Sequence, residues 1–113
     1  MSRYPRTPDG RYFVSKGRLW RTTNPGLPEA EREKWVSELM RARGDVARFR
    51  GDAEAVREAR SRVHRAKVAL GERGPPWWDD DGTEDVLRHA PWNTRYREWW
   101  EGLSEDERER GCA

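Results

Sequence analysis

Two apolar stripes at helical spacing organise the middle of the chain. Trp35, Leu39, Ala42, Val46 and Phe49 recur at intervals of four, three, four and three, and Val36 and Met40 widen the stripe. Val56, Ala59, Val63, Ala66 and Leu70 recur at three, four, three and four. Each spacing keeps one helix face apolar and the other polar. Pro28 suits a first helical turn, and Glu29, Glu31 and Glu33 follow it where the macrodipole favours acids. Gly51 ends the first stripe, Asp52 is placed to cap the second, and Gly71 stops it. Gly44 weakens the first helix by about 1 kcal/mol relative to Ala. The pattern predicts an antiparallel helical hairpin over 28–50 and 52–70, with Leu39 and Val63 buried at its seam.

The flanking segments follow other periods. Pro5, Pro8 and Asp9-Gly10 make 1–10 an extended arm ending in a turn. Arg11-Tyr12-Phe13-Val14 and Arg18-Leu19-Trp20-Arg21 are β-prone tetrads around Ser15-Lys16-Gly17, which predicts a β-hairpin over 11–21. Residues 72–92 read as an irregular link rich in Trp and Asp. A short helix over 93–103 carries Tyr96, Trp99, Trp100 and Leu103, capped by Asn93 or Thr94. Ser104 and Glu107 have capping-box spacing, but the charged 104–113 segment is expected to fray. The predicted fold is a single α+β domain. An N-terminal β-hairpin packs on the antiparallel helical hairpin, and an aromatic-rich C-terminal helix closes the structure.

Composition tempers this picture. The chain has 113 residues, 34% hydrophobic and 39% charged, so aliphatic core material is scarce. Seven Trp and three Tyr supply the missing apolar area. No run reaches the ~20 apolar residues of a membrane span, and the first residues lack a signal-peptide core. A cytoplasmic protein without a membrane partner is expected. The one cysteine, Cys112, excludes an internal disulfide framework.

Charge is segregated along the chain. Residues 1–21 carry six basic and one acidic side chain, and 41–67 carry nine and four. Residues 72–113 carry six basic and twelve acidic. The acidic third either folds back on the basic parts or leaves them open to a polyanion. Arg is favoured over Lys by 20 to 3, which suits phosphate recognition but also follows from GC-rich coding.

The strings Pro8-Asp9-Gly10-Arg11-Tyr12-Phe13-Val14, Gly17-Arg18-Leu19-Trp20-Arg21, Gly71-Glu72-Arg73-Gly74 with Trp77-Trp78, and Asn93-Thr94 with Tyr96 resemble a family of short bacterial proteins. That family is uncharacterised, and some members carry a Tol-like biopolymer-transporter label. The resemblance covers roughly residues 4–103 and implies a small bacterial cytosolic domain with no catalytic residue. A Tol-type component needs a membrane anchor or an export signal, and neither is expected here.

Candidate chemistry is sparse. His89 has Asp85 four residues before it, the spacing by which a carboxylate orients an imidazole base, but no nucleophile lies near in sequence. His64 sits alone in the second helix. Asp79-Asp80-Asp81 with Glu84 and Asp85 lacks the alternation of an EF-hand loop and reads as a solvated loop or as partners for the protein's own arginines. No phosphate loop or zinc spacing occurs. No enzyme activity, metal or cofactor is expected. The interaction surface expected instead comprises Arg11, Arg18, Trp20 and Arg21 of the hairpin, and Arg57, Arg60 and Arg65 of the second helix. It also includes the Trp77-Trp78 and Trp99-Trp100 pairs, since adjacent residues cannot both face inward. The expected function is a non-catalytic bacterial binding module that engages a protein through exposed Trp and Arg. The alternative is a nucleic-acid-binding accessory protein using the hairpin, with Lys16, and the 41–67 helices. A small enzyme around His89 stands third.

Overall fold

The computed structural model describes residues 4–113, so the first three residues of the expected arm lie outside it. Strands β1 (Tyr12–Ser15) and β2 (Arg18–Arg21) are followed by helices α1 (Glu29–Arg48) and α2 (Ala53–Ala69). A 3-10 turn at Pro91–Asn93 then precedes α3 (Arg97–Glu101) and α4 (Glu105–Cys112). The chain divides into two compact units, one of Thr23–Trp77 and one formed by the residues up to Thr22 together with Trp78–Ala113. Each has its own buried apolar cluster.

In the first unit α1 and α2 form the helical hairpin. Asp52 caps α2 by accepting the Ala55 N–H at 3.1 Å. Leu39 is 5% exposed and clusters with buried Ala66 and Leu70, while Val63, Trp35, Val36 and Leu27 pack around them half-buried. Val63 is therefore at the rim of the seam, and the small Ala59 and Ala66 are the residues α2 buries fully. Arg62 bridges the hairpin to Asp45 at 2.6 Å. Gly71, at φ +83°, ends α2 as the stripe predicts. Its N–H reaches the Val68 carbonyl at 3.0 Å and the Glu72 N–H reaches Lys67 at 2.9 Å, the paired bonds of a Schellman cap.

In the second unit β1 and β2 pair antiparallel, with Tyr12 opposite Arg21 and Val14 opposite Leu19. Tyr12, Val14 and Leu19 point inward and cluster with Val86, Tyr96 and Trp100. The arm runs beside β1, where the Val14 N–H donates to the Pro5 carbonyl at 2.9 Å. The expected 93–103 helix is shorter than its apolar pattern. Pro91 sets up a 3-10 turn, Thr94 Oγ1 accepts the Tyr96 N–H, and α3 starts only at Arg97. The expected frayed tail is instead α4. Ser104 and Glu107 form a full capping box, and Gly111 is buried against the Trp100 ring. The end of α4 is also tied to the hairpin turn. The Gly17 N–H donates to the Gly111 carbonyl at 2.9 Å, and the Lys16 N–H to that of Ala113 at 2.8 Å. Among the described residues no helix is long and apolar enough to cross a membrane.

A basic and aromatic cleft at the hairpin turn

The candidate surface separates into residues spent on folding and residues left open. Arg21 is 3% exposed and forms an ion pair with Asp85, while its guanidinium lies 5.9 Å from the centre of the Trp78 ring. Arg11 binds Asp81 at 2.7 Å and covers the same ring at 4.8 Å. The acidic loop thus folds back on two basic residues of the hairpin. Tyr12 adds a hydrogen bond from its hydroxyl to Asp85 Oδ1 at 2.7 Å. Burial, then that bond, pushes the Tyr12 hydroxyl up to about 12. Asp85 is raised by burial, but the bonds from Arg21, Tyr12 and the Leu87 N–H outweigh this and hold it below its ordinary value. The Arg11 hydrogen bond, followed by those of Thr83, lowers Asp81.

The tryptophans also turn largely inward. Trp100 is buried, Trp99 and Trp78 are half-buried against the cluster, and the half-buried Trp77 packs on Gly71. Trp20 is half-buried and donates its Nε1–H to the Ser15 carbonyl at 2.9 Å. Arg18, Arg57, Arg60 and Arg65 are exposed. Of the three on α2, Arg60 lines a hollow of about 500 Å³ at the α1–α2 turn, which it shares with Arg43 and Arg50.

Arg18 belongs to a more structured site. Residues 88 and 89 run alongside β2, with the Arg88 N–H donating to the Leu19 carbonyl at 2.7 Å and the Leu19 N–H to that of His89 at 2.9 Å. This pairing sets Arg88 and His89 beside the hairpin turn and opens a cleft of about 560 Å³. Lys16, Gly17, Arg18, Arg88, His89, Ala90, Trp92 and Asn93 line it, with no carboxylate side chain among them. Lys16, Arg18, Arg88 and His89 are all exposed, and among the described residues none of them forms an ion pair. Arg18 is steadied by donating from Nη1 to the Arg88 carbonyl at 2.9 Å, and Arg88 lies 5.9 Å from the Trp20 ring centre. Trp92, 40% exposed, is the one exposed tryptophan of the seven. It packs 5.8 Å from Trp100, centre to centre, and rests against Gly17.

The backbone of this cleft is unusual. The two-residue turn Lys16-Gly17 has φ +56° and +70°, the positive pair of a type I′ hairpin. Arg88 has φ +72°. Among the described residues Lys16 and Arg88 are the two non-glycine residues in this region, and both are cations on the same cleft.

Of the residues on this cleft, Arg18 belongs to the interaction surface expected from the sequence and Lys16 to the nucleic-acid alternative, whereas Arg88 and Trp92 belong to neither. Nothing in the sequence indicates that 88–92 returns to the edge of β2. Of the structural contacts expected for His89 (Asp85, a backbone group or the Trp92 region), that with Asp85 is not made, since Asp85 accepts from Arg21, Tyr12 and Leu87, while Trp92 lines the same cleft as His89. Comparison of the chain with family models, with curated proteins and with solved structures finds no match in any of the three.

Proposed function

We propose that the protein is a non-catalytic binding module that holds an anionic partner in the cleft at its hairpin turn. The observation that carries this reading is the convergence of Lys16, Arg18, Arg88 and His89 on one cleft with no Asp or Glu among its lining residues. Exposed Lys16, Arg18 and Arg88, with no ion-pair partner among the described residues, concentrate positive potential at the cleft and attract anions. The cleft volume of about 560 Å³ lies within the range of small-ligand pockets. A protein partner is the second reading, favoured by the Trp92–Arg88 combination, since Trp and Arg dominate protein hot spots. The lone exposed thiol of Cys112 fits a reducing, cytoplasmic setting. The enzymatic reading around His89 is not carried forward, because its orienting carboxylate is committed elsewhere.

The test is binding of the full chain to labelled polyanions, namely polyglutamate, single-stranded and duplex oligonucleotides, at two ionic strengths. Binding at low salt that weakens at high salt, and weakens further in Arg18→Gln, is the expected result. If no polyanion binds at low salt, the proposal fails.

A further inference from the structure

Two features of the cleft exceed what attraction of a simple anion requires. The first is strain. Asn or Gly would serve position 16 better in a type I′ turn, and Gly would serve a left-handed position 88. A cation at each place costs stability and adds a charged head group to the same cleft, a pattern in which backbone strain marks function. The second is Trp92. Its ring is backed by Trp100 and Gly17 yet stays 40% exposed, which makes it a fixed platform beside the cations.

We infer that the cleft takes single-stranded nucleic acid, with one base stacked on Trp92 and the adjoining phosphates held by Lys16, Arg18 and Arg88. The inference rests on the binding-module reading above and names its partner. An acidic peptide would satisfy the cations and leave the indole face unused. A duplex offers phosphates, but its base faces are already stacked on one another. A single strand presents phosphate and an open π face together.

The experiment is fluorescence anisotropy of labelled oligothymidine and oligouridine with the full chain, with polyglutamate and a duplex as competitors. Three phosphate contacts predict a slope of log affinity on log salt of about −2, since single strands contribute roughly −0.7 per contact. Trp92→Ala is expected to weaken binding about fivefold to a hundredfold with the slope unchanged, and Trp92→Phe to recover part of the loss. Lys16→Asn and Arg88→Gly are expected each to flatten the slope by about 0.7. Both also relieve backbone strain, so they should melt at or above the wild-type temperature, which separates lost binding from lost folding. Binding unchanged in Trp92→Ala, or competition by polyglutamate or duplex equal to that of unlabelled single strand, overturns the inference and leaves the binding module standing. Binding of none of these anions at low salt removes both.

Discussion

Asp85 ties three residues of the β-hairpin unit together, accepting from Arg21, Tyr12 and the Leu87 N–H. It neutralises Arg21, which is almost wholly buried, and accepts from Tyr12, which is wholly buried. Asp85→Ala takes that acceptor from the buried Tyr12 hydroxyl, and a buried donor that loses its acceptor costs about 1–3 kcal/mol. Denaturant melts of Asp85→Ala should show a loss of that size, and an unchanged midpoint would remove Asp85 from this role. Read from the sequence, Asp85 has two candidate partners, His89 by spacing and the protein's own arginines by charge. Spacing was the weaker guide, because the i, i+4 relation holds only in a helix and 85–89 is not helical. The same limit hid Arg88 and Trp92. Their place on the cleft is set by pairing with a strand about 70 positions earlier, and such long-range register leaves no local signal.

At the scale of elements, local signals were followed faithfully where one element supplies its own partners. The stripes of α1 and α2, the Asp52 cap and the Gly71 stop were all legible because they are satisfied within the helical hairpin. The terminal segment was different. Its capping box was visible at 104–107, but nothing local showed that Gly111 would meet the Trp100 ring and the chain end would bind the hairpin turn. Two glycines test this contrast. A Cβ on Gly111 would lie 2.9 Å from Trp100, so Gly111→Ala should destabilise by about 1–3 kcal/mol through overpacking. Gly44, in the middle of α1, has open space around it, so Gly44→Ala should stabilise by about 0.4–1 kcal/mol. A melting temperature of Gly111→Ala at or above that of the wild type would contradict the docking of α4.

At the scale of the whole molecule, the charge blocks meet inside one unit. Basic residues 11 and 21 receive carboxylates 81 and 85, so the hairpin keeps only its turn-end cations open. The sequence showed that opposite blocks exist; which arginine meets which carboxylate depends on the folded register. This arrangement has a consequence for acid stability. Asp9, Asp81, Asp85 and Glu107 are held below their ordinary values, and all belong to the unit that contains the hairpin and α4. For Asp9 the bonds from Tyr96, Thr7 and the Arg11 N–H outweigh the opposing effect of burial. A carboxyl whose folded value is depressed binds protons more weakly folded than unfolded. Its contribution is full above the ordinary value near 3.8 for Asp and is lost as pH falls through the lowered folded value. The near-UV dichroism of the aromatic cluster should therefore fade below about pH 4, while the far-UV signal of α1 and α2 persists to lower pH. Asp85→Asn removes one of these titrations and should make the near-UV transition less steep with pH. Coincident loss of both signals, with a transition unaltered in Asp85→Asn, would show that acid sensitivity does not originate in these carboxylates.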